Sequence, residues 1–315
     1  MIKNKKILIF GTGFICENLI NQFLKNKNKI VVIYNKHKLL NKYKNVTCYS
    51  MNEEVKDILY NEKPNYIICL SGNSFVPDNK NVVKSIETNV LKILSFIENI
   101  YTSGLYKNIK KILIIGSASE YGKLYNKPIN EDTPFHPTST YGLTKIMLHQ
   151  ISQYFIELDL PIIYIRQFNT IGVGQRTNFV LPAFAHQIVN IENYKQAPIM
   201  KVGDLTQERD FIDIRDTCRA YDLLLRKGSI GEIYNVGSGK FYTVEYLLKL
   251  LIKYSTLNDG IIKISKNKDL FFEKNSLSKR LHADITKLKL LGFKPKTSIK
   301  KTIKDTLKYW RNKDV

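Results

Sequence analysis

The start of the chain sets its architecture. Ile7-Leu8-Ile9-Phe10 is a continuous apolar run, followed at once by Gly11-Thr12-Gly13 and then by Phe14-Ile15-Cys16-Glu17-Asn18-Leu19, which opens a helical pattern through Leu24. A short run with no polar alternation reads as a strand buried on both faces, as in a parallel sheet. The glycines allow a tight strand-to-helix turn and a close approach of backbone to a pyrophosphate at the helix N-terminus. Cys16 stands where that fingerprint has a third glycine, which loosens the helix–strand packing without abolishing it.

The same alternation continues. A second strand, Ile30-Val31-Val32-Ile33-Tyr34, is followed by Asn35, Lys36, His37 and Lys38, with no acid to bond a ribose. Asn35 serves that ribose, or Lys36 or Lys38 a 2′-phosphate, so NAD and NADP both remain open. A third strand ends at Leu70, and the small residues Ser71-Gly72-Asn73-Ser74 let a dinucleotide lie across the strand ends. A long helix from about Val82 to Ile100 carries Asn89, a poor helix former that calls for an internal hydrogen bond. The run Lys111 to Gly116 delivers Ser117 to the carboxyl edge of the sheet, where open α/β folds bind ligands. A further strand lies between Leu160 and Phe168. The expected fold is α/β, a right-handed, Rossmann-type doubly wound parallel sheet, with a mixed C-terminal third. That third holds helices near Thr243 to Tyr254 and Ser298 to Arg311, with a Lys-rich loop near Lys266 to Lys279.

Tyr141 and Lys145 have the spacing Y-x-x-x-K, which puts both on one face of a helix. An adjacent ammonium favours the phenolate, so the expectation is a Tyr141 pKa drawn below its usual ~10, fit for general acid/base work. Ser117 or Ser119 hydrogen-bonds the same substrate oxygen.

With 315 residues, 43% hydrophobic and 24% charged, the chain suits a globular protein that buries a large core. No apolar run reaches the length of a membrane span, and the apolar run of MIKNKKILIF is too short for a signal peptide. The formal net charge of +21 comes from lysines spread along the chain, which argues against a nucleic-acid-binding arm and for attraction of an anionic substrate. Cys16, Cys48, Cys69 and Cys218 are scattered without metal-ligand spacing and read as small hydrophobes of a reducing cytoplasm.

Taken together the motifs resemble those of the extended short-chain dehydrogenases/reductases, the nucleotide-sugar epimerases, dehydratases and reductases. Gly11-Thr12-Gly13-Phe14-Ile15 resembles their G-x-G-F-I-G turn, Ser117 to Gly122 their catalytic Ser/Thr segment, and Tyr141 to Lys145 their Y-G-x-S-K. Arg166 to Gln175 is similar to R-x-F-N-x-x-G-P-G-Q with Val173 for Pro; Val202 to Asp204 and Arg209 to Asp216 are similar to V-G-N…R-D-F-x-D-V-R-D; Tyr234 to Gly239 matches Y-N-V-G-S-G. Within the family, the run Arg176 to Pro182 and the segment Val202 to Tyr221 are most similar to GDP-4-keto-6-deoxymannose reductases and their relatives on GDP-hexoses or GDP-heptoses.

The resemblance implies a cofactor domain of residues 1–172, rejoined by about 213–238, and a smaller mixed α/β nucleotide-sugar domain of 173–212 and 239–315. It implies hydride transfer between NAD or NADP and C4 of the sugar, with Tyr141 moving the proton, Lys145 holding the nicotinamide ribose and Ser117 bonding the oxygen. Gly11, Gly13, Phe14, Ile15, Asn35, Leu70, Ser71 and Gly72 fall to the cofactor. Ser74, Ser119, Asn169, Asn178, Phe179, Val180, Arg209 and Arg280 fall to the nucleotide sugar, Asn169 and Arg209 at its diphosphate and Arg280 at a phosphate-side position of some relatives. The R-P-x-D that usually precedes Arg280 is missing. The 4,6-dehydratases carry an adjacent Asp-Glu pair after the catalytic Thr; here Ala118 and Ser119 stand there, and Glu120 on an extended segment would face away, so dehydration is disfavoured. A 4-keto reductase or 4-dehydrogenase leads, a 4-epimerase follows, and a non-catalytic NAD(P) sensor stands third. No metal or membrane partner is implied, and a homodimer is expected.

Overall fold

The computed structural model describes residues 1–34, 43, 45–73, 81–122, 127–258, 260–267 and 280–313. The first half is a regular βα alternation: β1 (Lys6–Phe10), α1 (Phe14–Leu24), β2 (Lys29–Tyr34), β3 (Val46–Ser50), α2 (Val55–Glu62) and β4 (Tyr66–Cys69). Then come α3 (Val82–Ile86), a π-helical turn (Glu87–Leu91), α4 (Lys92–Thr102), β5 (Lys111–Ile115), α5 (Thr140–Glu157), β6 (Ile162–Gln167) and β7 (Asn169–Ile171). The remainder is α6 (Val180–Glu192), β8 (Ile199–Val202), β9 (Glu208–Asp213), α7 (Ile214–Lys227), β10 (Ile233–Val236), β11 (Phe241–Thr243), α8 (Val244–Lys253), β12 (Lys263–Lys266), β13 (Arg280–Leu281), α9 (Thr286–Leu290) and α10 (Ile299–Lys313).

Seven strands form one parallel sheet in the order β3-β2-β1-β4-β5-β6-β10. Side chains alternate across it with the period of two that a strand imposes. Ile7, Ile9, Leu113, Ile115, Ile163 and Ile165 enter the core shared with α1 and α7. Leu8, Phe10, Ile112, Ile114, Ile162 and Tyr164 enter the core shared with α2, α4 and α5. The doubly wound architecture expected from the sequence is therefore present, with both sheet faces covered. Chain order reverses between β1 and β4, which is where such sheets open a ligand crevice.

A third core, built on α6, α8 and α10 with Met200 and Val202 of β8, underlies the smaller mixed region. There β9 pairs with β11 antiparallel and with β7 and β13 in parallel, and β8 pairs with β12. Cys16, Cys69 and Cys218 are buried, Cys48 is half-buried, and all four are free. No helix among the described residues is long and apolar enough to cross a membrane.

The long helix expected from about Val82 is interrupted by the π turn that holds Asn89. Asn89 has no exposure. Its Oδ1 accepts the Asn73 amide at 2.7 Å, and its Nδ2 donates to the Asn73 carbonyl and to Thr144 Oγ1, each at 3.4 Å. The internal hydrogen bond demanded by an Asn at this point is thus a clasp on the backbone after β4.

Candidate active site

A cavity of about 440 Å³ opens along the carboxyl edge of the large sheet. Its walls come from the segments leaving β1 (Thr12 to Cys16), β4 (Leu70 to Asn73), β5 (Gly116 to Ser119) and β6 (Phe168 to Ile171), with Tyr141 and Lys145 of α5 and the entry to α6.

The glycine turn fits a dinucleotide on its own geometry. A Cβ at Gly11 would come within 2.7 Å of the Ser71 amide nitrogen, so only glycine lets the ends of β1 and β4 meet so closely. Gly13, the N-cap of α1, has φ +139°, a value that favours glycine. A Cβ there would meet nothing within 4 Å, and α1 has no side-chain cap. Its first amide groups and its macrodipole therefore suit a diphosphate. Cys16 is buried at this turn, and burial pushes its thiol pKa far up, so it packs as a hydrophobe.

Ser117 follows β5 directly and caps the short 3-10 turn Ala118–Glu120 by accepting the Ser119 amide at 3.1 Å. Ser139 caps α5 through the Gly142 amide, which fixes Tyr141 in the helix's first turn. The Tyr141 phenol hydrogen-bonds Ser117. Lys145 is buried, donates to the Ile115 carbonyl at 2.9 Å, and lies 5.7 Å from the Tyr141 ring centroid.

Two expectations are corrected here. Burial raises the Tyr141 pKa to about 12, against the pull of its Ser117 hydrogen bond and with the help of the Glu120 charge. The phenol is therefore held protonated, not poised as phenolate, because the cost of desolvating its charged form outweighs the pull of Ser117; burial lowers the Lys145 pKa as well. Secondly, residues 118–120 are a turn and not an extended segment, and Glu120 turns inward to accept the Ser117 amide at 2.7 Å. It does not line the cavity.

Gly13, Phe14, Ile15, Leu70, Ser71 and Gly72 of the cofactor set line the cavity, as do Ser119, Asn169, Asn178, Phe179 and Val180 of the substrate set. Gly11 acts beneath it. Asn35 and Ser74, with Lys36 and Lys38, lie outside the described residues. Arg209 is buried and absent from the cavity wall; its guanidinium donates to the Glu208 carbonyl at 2.8 Å and to Gln207 Oε1 at 3.0 Å, and burial lowers its pKa to about 10. Arg280 pairs with Glu208 and stacks on Phe241 at 4.5 Å. Asn73, named with the small residues after β4, lines the cavity too, and so do Gln167, Thr170, Gln175 and Arg176, to which sequence reasoning gave no role. Arg176 offered a signal, an arginine two residues before the Asn178 already singled out.

The family profile described as GDP-mannose 4,6 dehydratase matches residues 8–306. The GDP-6-deoxy-D-mannose reductase of Pseudomonas aeruginosa is 28% identical over 260 residues, which cover 81% of this chain and 83% of that protein. The GDP-6-deoxy-D-talose 4-dehydrogenase of Aggregatibacter actinomycetemcomitans is 27% identical over 293 residues, 91% of each chain. The structure of RMD from Pseudomonas aeruginosa complexed with NADPH superposes with a TM-score of 0.82 at 25% identity, over 98% of this chain and 100% of that one. The chain belongs to the GDP-mannose 4,6-dehydratase family, within the NAD(P)-dependent extended short-chain dehydrogenases/reductases that act on nucleotide sugars.

Proposed function

We propose that this enzyme transfers hydride between NAD(P)(H) and C4 of a GDP-linked hexose or heptose, as a 4-keto reductase or 4-dehydrogenase. The observation that carries the reading is one cavity with the hydrogen-bonded Ser117–Tyr141 pair on its wall and the uncapped N-terminus of α1 at its other side. The GDP-6-deoxy-sugar relatives support the nucleotide and the position on the sugar.

The bound nicotinamide supplies or accepts the hydride. Gly13, Phe14 and Ile15 would hold the dinucleotide's diphosphate by their amides, and Leu70, Ser71 and Gly72 would line its path over the strand ends. A protonated phenol suits the reducing direction: Tyr141 donates its proton to the C4 oxygen as that oxygen gains negative charge, while the Ser117 hydroxyl hydrogen-bonds the same atom. Lys145 contributes positive charge beside the site, which stabilises the phenolate left behind. Dehydration would need an acid and base at 118 and 119, and Ala118 and Ser119 provide neither.

Purified protein would be incubated with 4-keto-6-deoxy and 4-hydroxy sugars linked to GDP, UDP or dTDP, and absorbance of the reduced nicotinamide followed. Net oxidation or reduction with GDP sugars preferred is the expected result. Inversion at C4 without net cofactor turnover would replace this reading by the epimerase. Binding of NAD(P) with no turnover at all would leave the sensor.

For the assembly we propose a homodimer through α3, α4 and α5. Val90, Ile93 and Leu148, apolar residues of these helices that the sequence offers for such a face, are buried within the chain; Val83 of α3, Leu143 and Tyr154 of α5 and Leu91 of the π turn are exposed instead, at 67%, 40%, 59% and 50%. A monomeric mass by light scattering at micromolar concentration would refute it. The four free thiols suit a reducing compartment, and we place the enzyme in the cytoplasm.

A further inference from the structure

Glu120 is a carboxyl group with no exposure that the chemistry above does not use. Its Oε1 accepts from the Ser117 amide at 2.7 Å and from the Tyr164 hydroxyl at 2.9 Å. That hydroxyl also lies 2.9 Å from the Lys145 carbonyl. Oε2 accepts from Arg166 Nε at 3.1 Å, and Arg166 continues to the Tyr121 hydroxyl at 2.9 Å and the Glu131 carbonyl at 2.6 Å. The Arg166 guanidinium sits 4.9 Å from the Tyr121 ring and 4.7 Å from the Phe135 ring. A side chain on Gly116 would collide with both Glu120 Oε1 and the Tyr164 hydroxyl, so the end of β5 is hollowed out for this contact.

We propose that Glu120 is a positioning residue of the proton-transfer centre: one carboxylate grips the backbone of Ser117 and the Tyr164 hydroxyl, which packs against the turn of α5 that carries Lys145. The inference rests on the reductase/dehydrogenase reading above and assigns this residue a part in it. Burying a carboxylate is expensive unless it is fully bonded; this one is bonded to the segment that carries Ser117 and to Tyr164 of β6, whose hydroxyl lies 2.9 Å from the Lys145 carbonyl of α5, so it sits between the two segments that must bring Ser117 and Tyr141 to one oxygen. A displacement of about 1 Å at such a centre costs on the order of 10²-fold in rate.

The contact is also electrostatic. Burial, outweighing the pull of Arg166, raises the Glu120 pKa to about 7. The groups facing it are Arg166 and Tyr164 of β6, Tyr141 and Lys145 of α5, and Tyr121 of its own turn, with Glu131 beyond Arg166 and His149 against the Tyr164 ring at 4.9 Å. The negative charge of Glu120 raises the pKa of both Tyr141 and Lys145. Removing it should ease ionisation of the phenol.

The test is Glu120→Gln, with Tyr164→Phe as the milder variant that removes only the hydroxyl between Glu120 and α5. Each is checked for folding by thermal unfolding and for NADPH affinity by fluorescence. The expected result in the reducing direction is a kcat about ten- to a hundredfold lower for Glu120→Gln, with KM for sugar and cofactor within about twofold. The alkaline limb of its kcat–pH profile should lie at lower pH than in wild type. The gap between variant and wild type should narrow as pH falls below about 7, where wild-type Glu120 itself takes up a proton. Tyr164→Phe should lower kcat in the same sense by a smaller factor, and it decides the matter if Glu120→Gln does not fold. A variant that is merely less stable, with wild-type kcat and an unmoved profile, would overturn the proposal. Wild-type protein that binds NADPH yet turns over no nucleotide sugar would overturn the function and this inference together, and so is told apart from a failure of Glu120 alone.

Discussion

Lys145 donates its ammonium to the carbonyl of Ile115, 2.9 Å away, across the gap between α5 and the last residue of β5. The bond locks the helix bearing Tyr141 to the strand that presents Ser117. Yet the ammonium is buried, and burial lowers its pKa below the usual 10.5, so the charged form is less favourable in the folded chain than in the unfolded one. Lys145→Met keeps the length of the stem and removes the charge. Turnover should fall at least about 10²-fold. At neutral pH the melting temperature should hold within a few degrees, because the relief of desolvation offsets one lost hydrogen bond of about 1 kcal/mol. Wild type should gain stability relative to the variant as pH rises towards 10.5, since it then sheds the unfavourable proton. A calorimetric series across that range checks the slope; a slope of opposite sign would contradict the assignment.

Tyr141→Phe removes only the transferable proton and the hydrogen bond to Ser117. Fold and cofactor affinity should be retained while kcat drops about 10²–10⁴-fold. Because burial holds the wild-type phenol protonated up to about pH 12, ketone reduction by wild type should show no loss from Tyr141 ionisation across the neutral range. Measured kcat for reduction between neutrality and moderately alkaline pH tests this, and a variant with near-wild-type kcat would remove Tyr141 from proton transfer.

Much of this arrangement could be read from residues alone, for identifiable reasons. The run Ile7 to Phe10, the turn Gly11 to Gly13 and the helix that follows are local, since apolar continuity and glycine chemistry decide them. The delivery of Ser117 by β5 and the pairing of Tyr141 with Lys145 on α5 follow from periodicity. What escaped depends on distant partners. The π turn at Asn89 exists to bond Asn73, sixteen residues away in sequence. The upward shift of Tyr141 comes from burial and from Glu120, neither of which spacing reveals. The inward turn of Glu120 depends on Tyr164 and Arg166 of another strand. Short, partly polar elements such as β3 (Val46–Ser50) and α2 (Val55–Glu62) carry too little periodicity to stand out against loops.

Asp210 of β9 ties together the segments that follow β10 and β13. Its carboxylate accepts the Ser238 amide at 2.7 Å, the Ser238 hydroxyl at 2.6 Å and the Gly239 amide at 2.9 Å just after β10, and the Ala283 amide at 3.4 Å just after β13. Burial nevertheless raises its pKa to about 6 from 3.8. A carboxyl that binds its proton more tightly when folded contributes stability that falls as pH rises from about 4 to about 6. Asp210→Asn puts an NH₂ donor against backbone donors and should cost roughly 1.5–3 kcal/mol at neutral pH. It should also remove this part of the pH dependence of unfolding, as denaturant titrations at pH 4 and pH 7 would show. An unchanged pH dependence would mean that Asp210 does not titrate there.

The final prediction separates the arginines near the substrate end. Arg209 and Arg280, the arginines expected from the sequence at the diphosphate, are both absent from the cavity wall, whereas Arg176 is exposed on it. Arg209 is nine-tenths buried, and its pKa is lowered to about 10 by that burial, so part of its desolvation is already paid before any ligand arrives. A guanidinium in that state gains most from a doubly charged, bidentate partner. Arg209→Ala should therefore raise KM for the nucleotide sugar about ten- to a hundredfold, a loss of roughly 1.5–3 kcal/mol, and leave KM for NAD(P)H unchanged. The proposed cofactor site is the Gly13 turn, away from Arg209. Arg176→Ala should raise the same KM less, because an exposed cation is screened by solvent and salt. Competition titrations with GDP, UDP and dTDP on both variants check the split: if Arg209→Ala binds the preferred nucleotide as wild type does while Arg176→Ala does not, the diphosphate lies at the mouth of the cavity, against Arg176, and Arg209 serves the packing of β9.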